Sequence, residues 1–166
     1  MVIRVKITIL GESNVGKTSL VSKYCKNRFP SEYRATLGAD FTTKSIKYQG
    51  KSVELILWDI AGNEVADYYL EGTNGYLLVF DLTSSESFKK LTQWYEKGKR
   101  ICGNIPFLVL GNKKDLEEFI VVSGVEYTKR IKKQYNSILI ETSAKTGFNV
   151  ENAFLSILEL ILGEEI

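Results

Sequence analysis

Gly11-Glu12-Ser13-Asn14-Val15-Gly16-Lys17-Thr18 matches the pattern GxxxxGK[ST] in full. Before it, residues 2–10 (VIRVKITIL) alternate apolar and polar and read as a strand. After it, residues 17–26 read as a helix. Strand, glycine-rich loop and helix in that order make a cradle for a polyphosphate. The glycines let the backbone wrap so that amide N–H groups point inward, and the helix N-terminus adds its positive end. In such a cradle Lys17 reaches the β- and γ-phosphates, and Thr18 offers its hydroxyl to Mg²⁺.

Working outward, residues 41–48 and 53–59 are strand candidates separated by Gln49-Gly50, which predicts a hairpin. Residues 76–80 and 107–110 are almost wholly apolar, as strands buried on both faces are. Residues 137–141 form a weaker candidate. Ser84 or Ser85 can cap a helix carrying Phe88, Leu91, Trp94 and Tyr95 on one face. A second helix is predicted over 125–135. Asn149 can cap a last one, with Val150, Ala153, Phe154, Ile157, Leu158 and Ile161 inward. The alternation predicts an α/β fold: a mostly parallel six-stranded sheet with one antiparallel strand and helices on both faces. Ligands of such sheets bind outside the carboxyl ends of the strands.

Composition narrows the chemistry. The 166 residues are 44% hydrophobic and 25% charged, ordinary values for a globular chain, and we read residues 1–166 as one domain. The chain has no His, which excludes Ser-His and Cys-His nucleophiles and imidazole metal sites. Cys25 and Cys102 form no CxxC pair and imply neither a disulfide framework nor a zinc site. Any metal should be a hard ion held by hydroxyls, carboxylates and phosphates. A net charge of +2 is too balanced to argue for nucleic acid. The Lys/Arg clusters at 89–90, 97–100 and 129–133 read as solvated helix faces.

Asn112-Lys113-Lys114-Asp115 follows the apolar run 107–110. A carboxylate there can accept from both N1–H and the 2-amino group of guanine. Adenine offers no such pair of donors and would leave the carboxylate desolvated without compensation.

With these residues in place, the chain resembles the Ras superfamily of small GTPases, its Rab branch most closely, over essentially all of its length. The resemblance rests on the loop 11–18 and on Thr36 within Thr36-Leu37-Gly38-Ala39-Asp40-Phe41. It rests further on Trp58-Asp59-Ile60-Ala61-Gly62-Asn63-Glu64, on Asn112-Lys113-Lys114-Asp115 and on Thr142-Ser143-Ala144-Lys145. Ser13, Gly38-Ala39-Asp40-Phe41 and Tyr68-Tyr69 are the Rab-like touches. The resemblance implies a P-loop G domain that binds GTP and GDP with Mg²⁺ and hydrolyses GTP to GDP and phosphate. It assigns nucleotide contacts to Ser13, Asn14, Val15, Gly16, Lys17, Thr18 and Ser19 in the cradle. Gly62 and Thr36 would meet the γ-phosphate, and Phe29 would pack edge-on against the guanine. Asn112, Lys113, Asp115, Ser143, Ala144 and Lys145 would surround the base. It assigns Mg²⁺ to Thr18, Thr36 and Asp59, and catalysis to Lys17, Thr36 and Asn63. Partners would be an exchange factor, a GTPase-activating protein and effectors, engaging residues 36–41 and 63–70 of a monomer.

Three features depart from the family. Asn63 stands where the family usually has the Gln that orients the attacking water, and its side chain is one methylene shorter, about 1.5 Å of reach. Between Gly62 and Tyr69 the chain is about four residues short, too few for the usual loop-plus-helix. Residues 162–166 (LGEEI) carry no Cys for prenylation, and Val2 excludes N-myristoylation. The last point leaves two readings, a shortened chain or a protein without a lipid anchor, and so a cytoplasmic or a peripheral-membrane protein. The first two leave a choice between a slow GTPase and a GTP-binding scaffold with negligible turnover. An ATP-dependent phosphotransferase on the same loop is opposed by Asp115.

Overall fold

Strands without a polar face must lie inside a sheet covered on both sides. β4 (Gly75–Asp81) is buried along its whole length, and β5 (Phe107–Asn112) in all but its first residue. The computed structural model describes residues 1–62 and 66–163. Around β4 and β5, the strands β1 (Val2–Leu10), β2 (Ala39–Tyr48), β3 (Lys51–Ile60) and β6 (Leu139–Glu141) complete a sheet of order β2-β3-β1-β4-β5-β6. β1 runs parallel to β3 and β4, and β5 parallel to β4 and β6. Among the described strands only β2 is antiparallel to its neighbour, with Phe41 opposite Trp58 and Tyr48 opposite Lys51. Gln49 and Gly50 close that hairpin at φ 48° and 77°, the paired positive values that a two-residue turn needs to match strand twist.

The pleat sorts the core into two layers. Leu77 and Val79 of β4 face α1 (Lys17–Lys26) and α5 (Val150–Leu162). Tyr76, Leu78 and Phe80 face α2 (Ser85–Lys89), α3 (Leu91–Cys102) and α4 (Val125–Tyr135). On α5 the predicted inward residues Val150, Ala153, Phe154, Ile157 and Leu158 are all buried, and Ile161 packs against them half-buried. No helix among the described residues is long and apolar enough to cross a membrane.

Some elements depart from the sequence expectation. The helix expected after Ser84 is two helices that meet at Lys90 (φ −78°, ψ −7°). Ser84 caps the first as expected, its Oγ accepting from the Ser87 N–H at 3.2 Å. The break occurs where the Lys90 ammonium lies between Glu86 and Glu12, 3.3 Å from each. Asn149 begins α5 but does not cap it. Its backbone is left-handed (φ 55°), and its Nδ2 donates instead to the Glu141 carbonyl at 3.0 Å. β6 starts at Leu139 rather than at Ser137, whose hydroxyl donates to the Phe107 carbonyl at 3.2 Å. Before β4 the described residues hold a short 3-10 turn, Asp67–Leu70. It is tied down from outside by Arg100 on Asp67 (3.0 Å) and by Lys6 on the carbonyls of Tyr69 and Glu71 (2.7 Å each).

Candidate functional site

The loops leaving β1, β5 and β6 open on one cavity of about 790 Å³ at the carboxyl end of the sheet, where an α/β sheet presents its binding crevice. Its floor is the glycine loop. Gly16 has φ 100°, and a Cβ there would lie 2.2 Å from Asn112 Nδ2. Gly62 approaches the loop so closely that its Cβ would sit 2.0 Å from the Ser13 amide nitrogen. Neither position has room for a Cβ: at Gly16 it would meet a side chain, at Gly62 the backbone of the loop. Lys17 is 6% exposed, and its ammonium donates to the carbonyls of Gly11 (2.8 Å) and Glu12 (2.6 Å). Burial pulls its pKa down to about 8, with the charges of Asp59 and Glu12 opposing. The Glu12 carboxylate ties the loop to α3, accepting from Trp94 Nε1 at 2.9 Å and pairing with Lys90.

Beside Lys17, three oxygen-bearing side chains from distant parts of the chain converge. The hydroxyls of Thr18 and Thr36 are 2.8 Å apart, and both donate to Asp59 Oδ2, Thr36 at 3.4 Å. Burial raises the Asp59 carboxyl above its usual range, against the Thr18 hydrogen bond and the Lys17 charge. Among the described residues, Asp59 Oδ1 is a buried side-chain oxygen with no hydrogen-bond partner. A native protein seldom leaves a buried carboxylate oxygen unpaired, and a bound cation is an ordinary reason. Two hydroxyls and one carboxylate are hard donors that suit Mg²⁺ with water and phosphate oxygens completing its shell. Among the described residues no cluster of three or more His, Cys, Asp or Glu offers a competing metal site.

At the far end of the cavity Asn112, 2% exposed, acts as a staple between three loops. Its Nδ2 donates to the Val15 carbonyl (3.0 Å). Its Oδ1 accepts from Thr142 Oγ1 (3.1 Å) and from the Ala144 amide (3.2 Å). The Ser143 hydroxyl donates to Asp115 Oδ1 at 2.7 Å and so orients that carboxylate. Lys113 holds a left-handed backbone (φ 70°), and its ammonium pairs with Asp81 at 2.8 Å.

Of the residues named from sequence, Ser13, Asn14, Gly16, Lys17, Thr18, Ser19, Phe29, Thr36, Gly62, Asn112, Lys113, Asp115, Ala144 and Lys145 line this cavity. Val15 and Ser143 stand behind its wall. The first is buried core with its carbonyl on Asn112, the second a buried orienting group for Asp115. Asp59 lies in the second rank, behind the two threonines. Asn63 lies outside the described residues. Sequence reasoning missed most of the segment 29–37, which lines the cavity from Phe29 to Leu37, and Leu116. That segment has neither helical nor strand periodicity, so nothing local announces that it folds over the site. Arg34 lies in it with its side chain 88% exposed, 4.0 Å from Glu32.

Gly16→Ala should be costly. The new methyl needs a left-handed backbone and must displace Asn112 Nδ2 from the Val15 carbonyl. Strain plus a broken buried hydrogen bond is expected to lower unfolding free energy by about 2–4 kcal/mol. Denaturant unfolding with no added ligand checks this; a loss under about 0.5 kcal/mol, the size of a neutral surface change, contradicts the staple.

Comparison with known proteins bears on the family. Residues 6–163 match the Ras family. The chain is 37% identical over 171 aligned residues to the Ras-related protein RABG3b of Arabidopsis thaliana, covering 96% of this chain and 84% of that protein. It is 38% identical over 161 residues to the Ras-related protein Rab-7a of Dictyostelium discoideum, covering 92% and 79%.

Proposed function

The chain belongs to the Ras family, whose members are GTPases, and from that premise we propose that it is a Rab-like, Mg²⁺-dependent guanine-nucleotide switch. Residues 1–166 would act as a single G domain. The observation that carries the reading is one cavity with Lys17, Thr18, Thr36 and Asp59 near one end and Asp115, oriented by Ser143, at the other. Cationic and cation-holding groups suit a polyphosphate. An oriented carboxylate at the far end suits the N1–H and 2-amino donors of guanine.

The reaction is in-line attack of water on the γ-phosphate of GTP, with the P–O bond to the β-phosphate breaking as GDP leaves. Lys17 and the amides of residues 13–18 stabilise the charge that builds on the phosphoryl oxygens. Mg²⁺, held through Thr18, Thr36 and Asp59, neutralises β- and γ-phosphate charge when bound. Thr36 and Asn63 would position the water. In the GTP state Thr36 and the Gly62 amide gain the γ-phosphate as a partner, and GDP removes it. The segments carrying them would then differ between the two states, and partners would read that difference. The aromatic row Phe41–Trp58–Tyr69–Tyr68, with ring centroids 5.2, 5.9 and 4.4 Å apart, supports docking of effectors and regulators there. Phe41 and Tyr68 are more than half exposed. A role in membrane traffic or signalling follows from the Rab likeness, with the protein working as a monomer.

Intrinsic hydrolysis is expected to be slow, because the Asn63 amide would fall about 1.5 Å short of the water, and about 1 Å of misplacement costs on the order of 100-fold. Single-turnover hydrolysis of bound GTP should therefore rise at least about 10-fold in Asn63→Gln, with nucleotide affinity unchanged. Asn63→Ala sets the floor. Wild type at that floor, with Gln no faster, favours the scaffold reading. Wild type far above the floor and equal to Gln removes the slow-enzyme inference.

A further inference from the structure

Asp81 ends β4 and, at 7% exposure, is a buried carboxylate that the assignments above leave without a role. Its Oδ1 is fixed, accepting from the Thr83 amide (2.8 Å) and the Thr83 hydroxyl (2.7 Å). Its Oδ2 meets the Lys113 ammonium at 2.8 Å. The sheet makes this meeting possible: β4 and β5 pair so that Asp81 stands beside Asn112, the residue before Lys113. Lys113 is thus held twice. Its main chain follows the stapled Asn112 into a left-handed conformation that L-residues adopt at a cost, and its side chain is anchored at the tip. Between the two anchors the four-methylene stem borders the cavity, two residues from Asp115.

We propose that Asp81 is a positioning residue for the base-binding end of the cavity, holding Lys113 by its ammonium so that the aliphatic stem forms a fixed wall beside Asp115. The proposal rests on the guanine-nucleotide reading and deepens it. A free lysine would lose considerable rotamer freedom on lying against a ligand, and the ion pair imposes that order beforehand. The pair is also sheltered. Side-chain exposure is 10% for Asp81 and 24% for Lys113, so solvent screens it less than a surface pair.

The test is release of a fluorescent GDP, and separately of a fluorescent non-hydrolysable GTP analogue, from the Mg²⁺-loaded protein. Asp81→Asn keeps an acceptor for Thr83 but loses the charge; it should accelerate release of both nucleotides about 3- to 10-fold, and Asp81→Ala about 10-fold or more. The factor should be the same for both, since they share the base and differ at the phosphate end. In a Lys113→Met background the stem remains and the ammonium is gone, so Asp81→Asn should add less than about 2-fold. If Asp81→Ala does not fold, Asp81→Asn alone carries the test. Unchanged release in Asp81→Asn overturns the proposal, as does the same acceleration with Met at 113, which would make Asp81 a general structural residue. Failure of the wild type to bind either nucleotide overturns the guanine reading itself. Tight wild-type binding with no effect at Asp81 overturns this inference alone.

Discussion

Lys17→Met is expected to accelerate loss of bound GDP by about 10²- to 10⁴-fold, the largest effect of any single side chain in the cavity. The reason is where the ammonium sits. It is almost wholly buried, its pKa is already drawn down to about 8 by that burial, and its described partners are two main-chain carbonyls. A desolvated cation of this kind gains much from a phosphate anion, and charge-assisted hydrogen bonds in a water-poor site are about twice as strong as neutral ones. Methionine keeps the stem and removes the charge, which leaves the phosphate oxygens without their counter-charge. Chelation of Mg²⁺ should act in the same direction, since Asp59 Oδ1 and the two threonine hydroxyls would lose their cation. Stopped-flow release of labelled GDP, with circular dichroism to confirm that the variant is folded, makes the measurement. Release within about 3-fold of wild type in both arms would mean that this loop does not hold a polyphosphate.

The second large effect is a change of base. Asp115→Asn should weaken GTP binding by about 10²-fold or more and favour xanthosine nucleotides over guanosine ones. Ser143 already donates to Asp115 Oδ1 at 2.7 Å, and an asparagine can accept that bond through its own Oδ1. What changes is the second atom of the carboxylate, which becomes an N–H₂ donor. Against guanine's 2-amino group it is a clash of donors; against the C2 carbonyl of xanthine it is a hydrogen bond. Competitive titration of wild type and variant with GDP and its xanthine counterpart separates the cases. Equal guanine affinity in the two proteins would remove Asp115 from base recognition and reopen the question of which purine the cavity takes.

Much of this architecture was legible because it is local. The strand–loop–helix around Gly11–Thr18, the turn at Gln49-Gly50 and helix α4 are each specified by residues within a dozen positions of one another. The misreadings are also instructive in physical terms. Ser84 and the apolar stripe Phe88, Leu91, Trp94 and Tyr95 are compatible with one continuous helix; the first three are buried and Tyr95 is half-buried. The break comes at Lys90, whose ammonium meets a carboxylate 78 positions earlier in the chain. No helical period contains that information. Asn149 was a fair cap by residue type, but its amide found a strand-end carbonyl instead.

The sequence by itself determined the fold class and the family, and named candidate residues for both ends of the cavity, because each depends on spacing along the chain. Only the tertiary structure decided how those ends are held. Thr18 meets Asp59 from 41 positions away, Trp94 reaches Glu12 from 82, and Asn112 donates to Val15 from 97. Such contacts follow from strand order and parallel register, which bring the carboxyl ends of β1, β3, β4 and β5 side by side whatever their separation in the chain. The pairing of Asp81 with Lys113, and the folding of residues 29–37 over the cavity, belong to the same class. They exist because the open sheet sets the ends of its strands, and the loops leaving them, side by side, and a linear pattern carries no such distance.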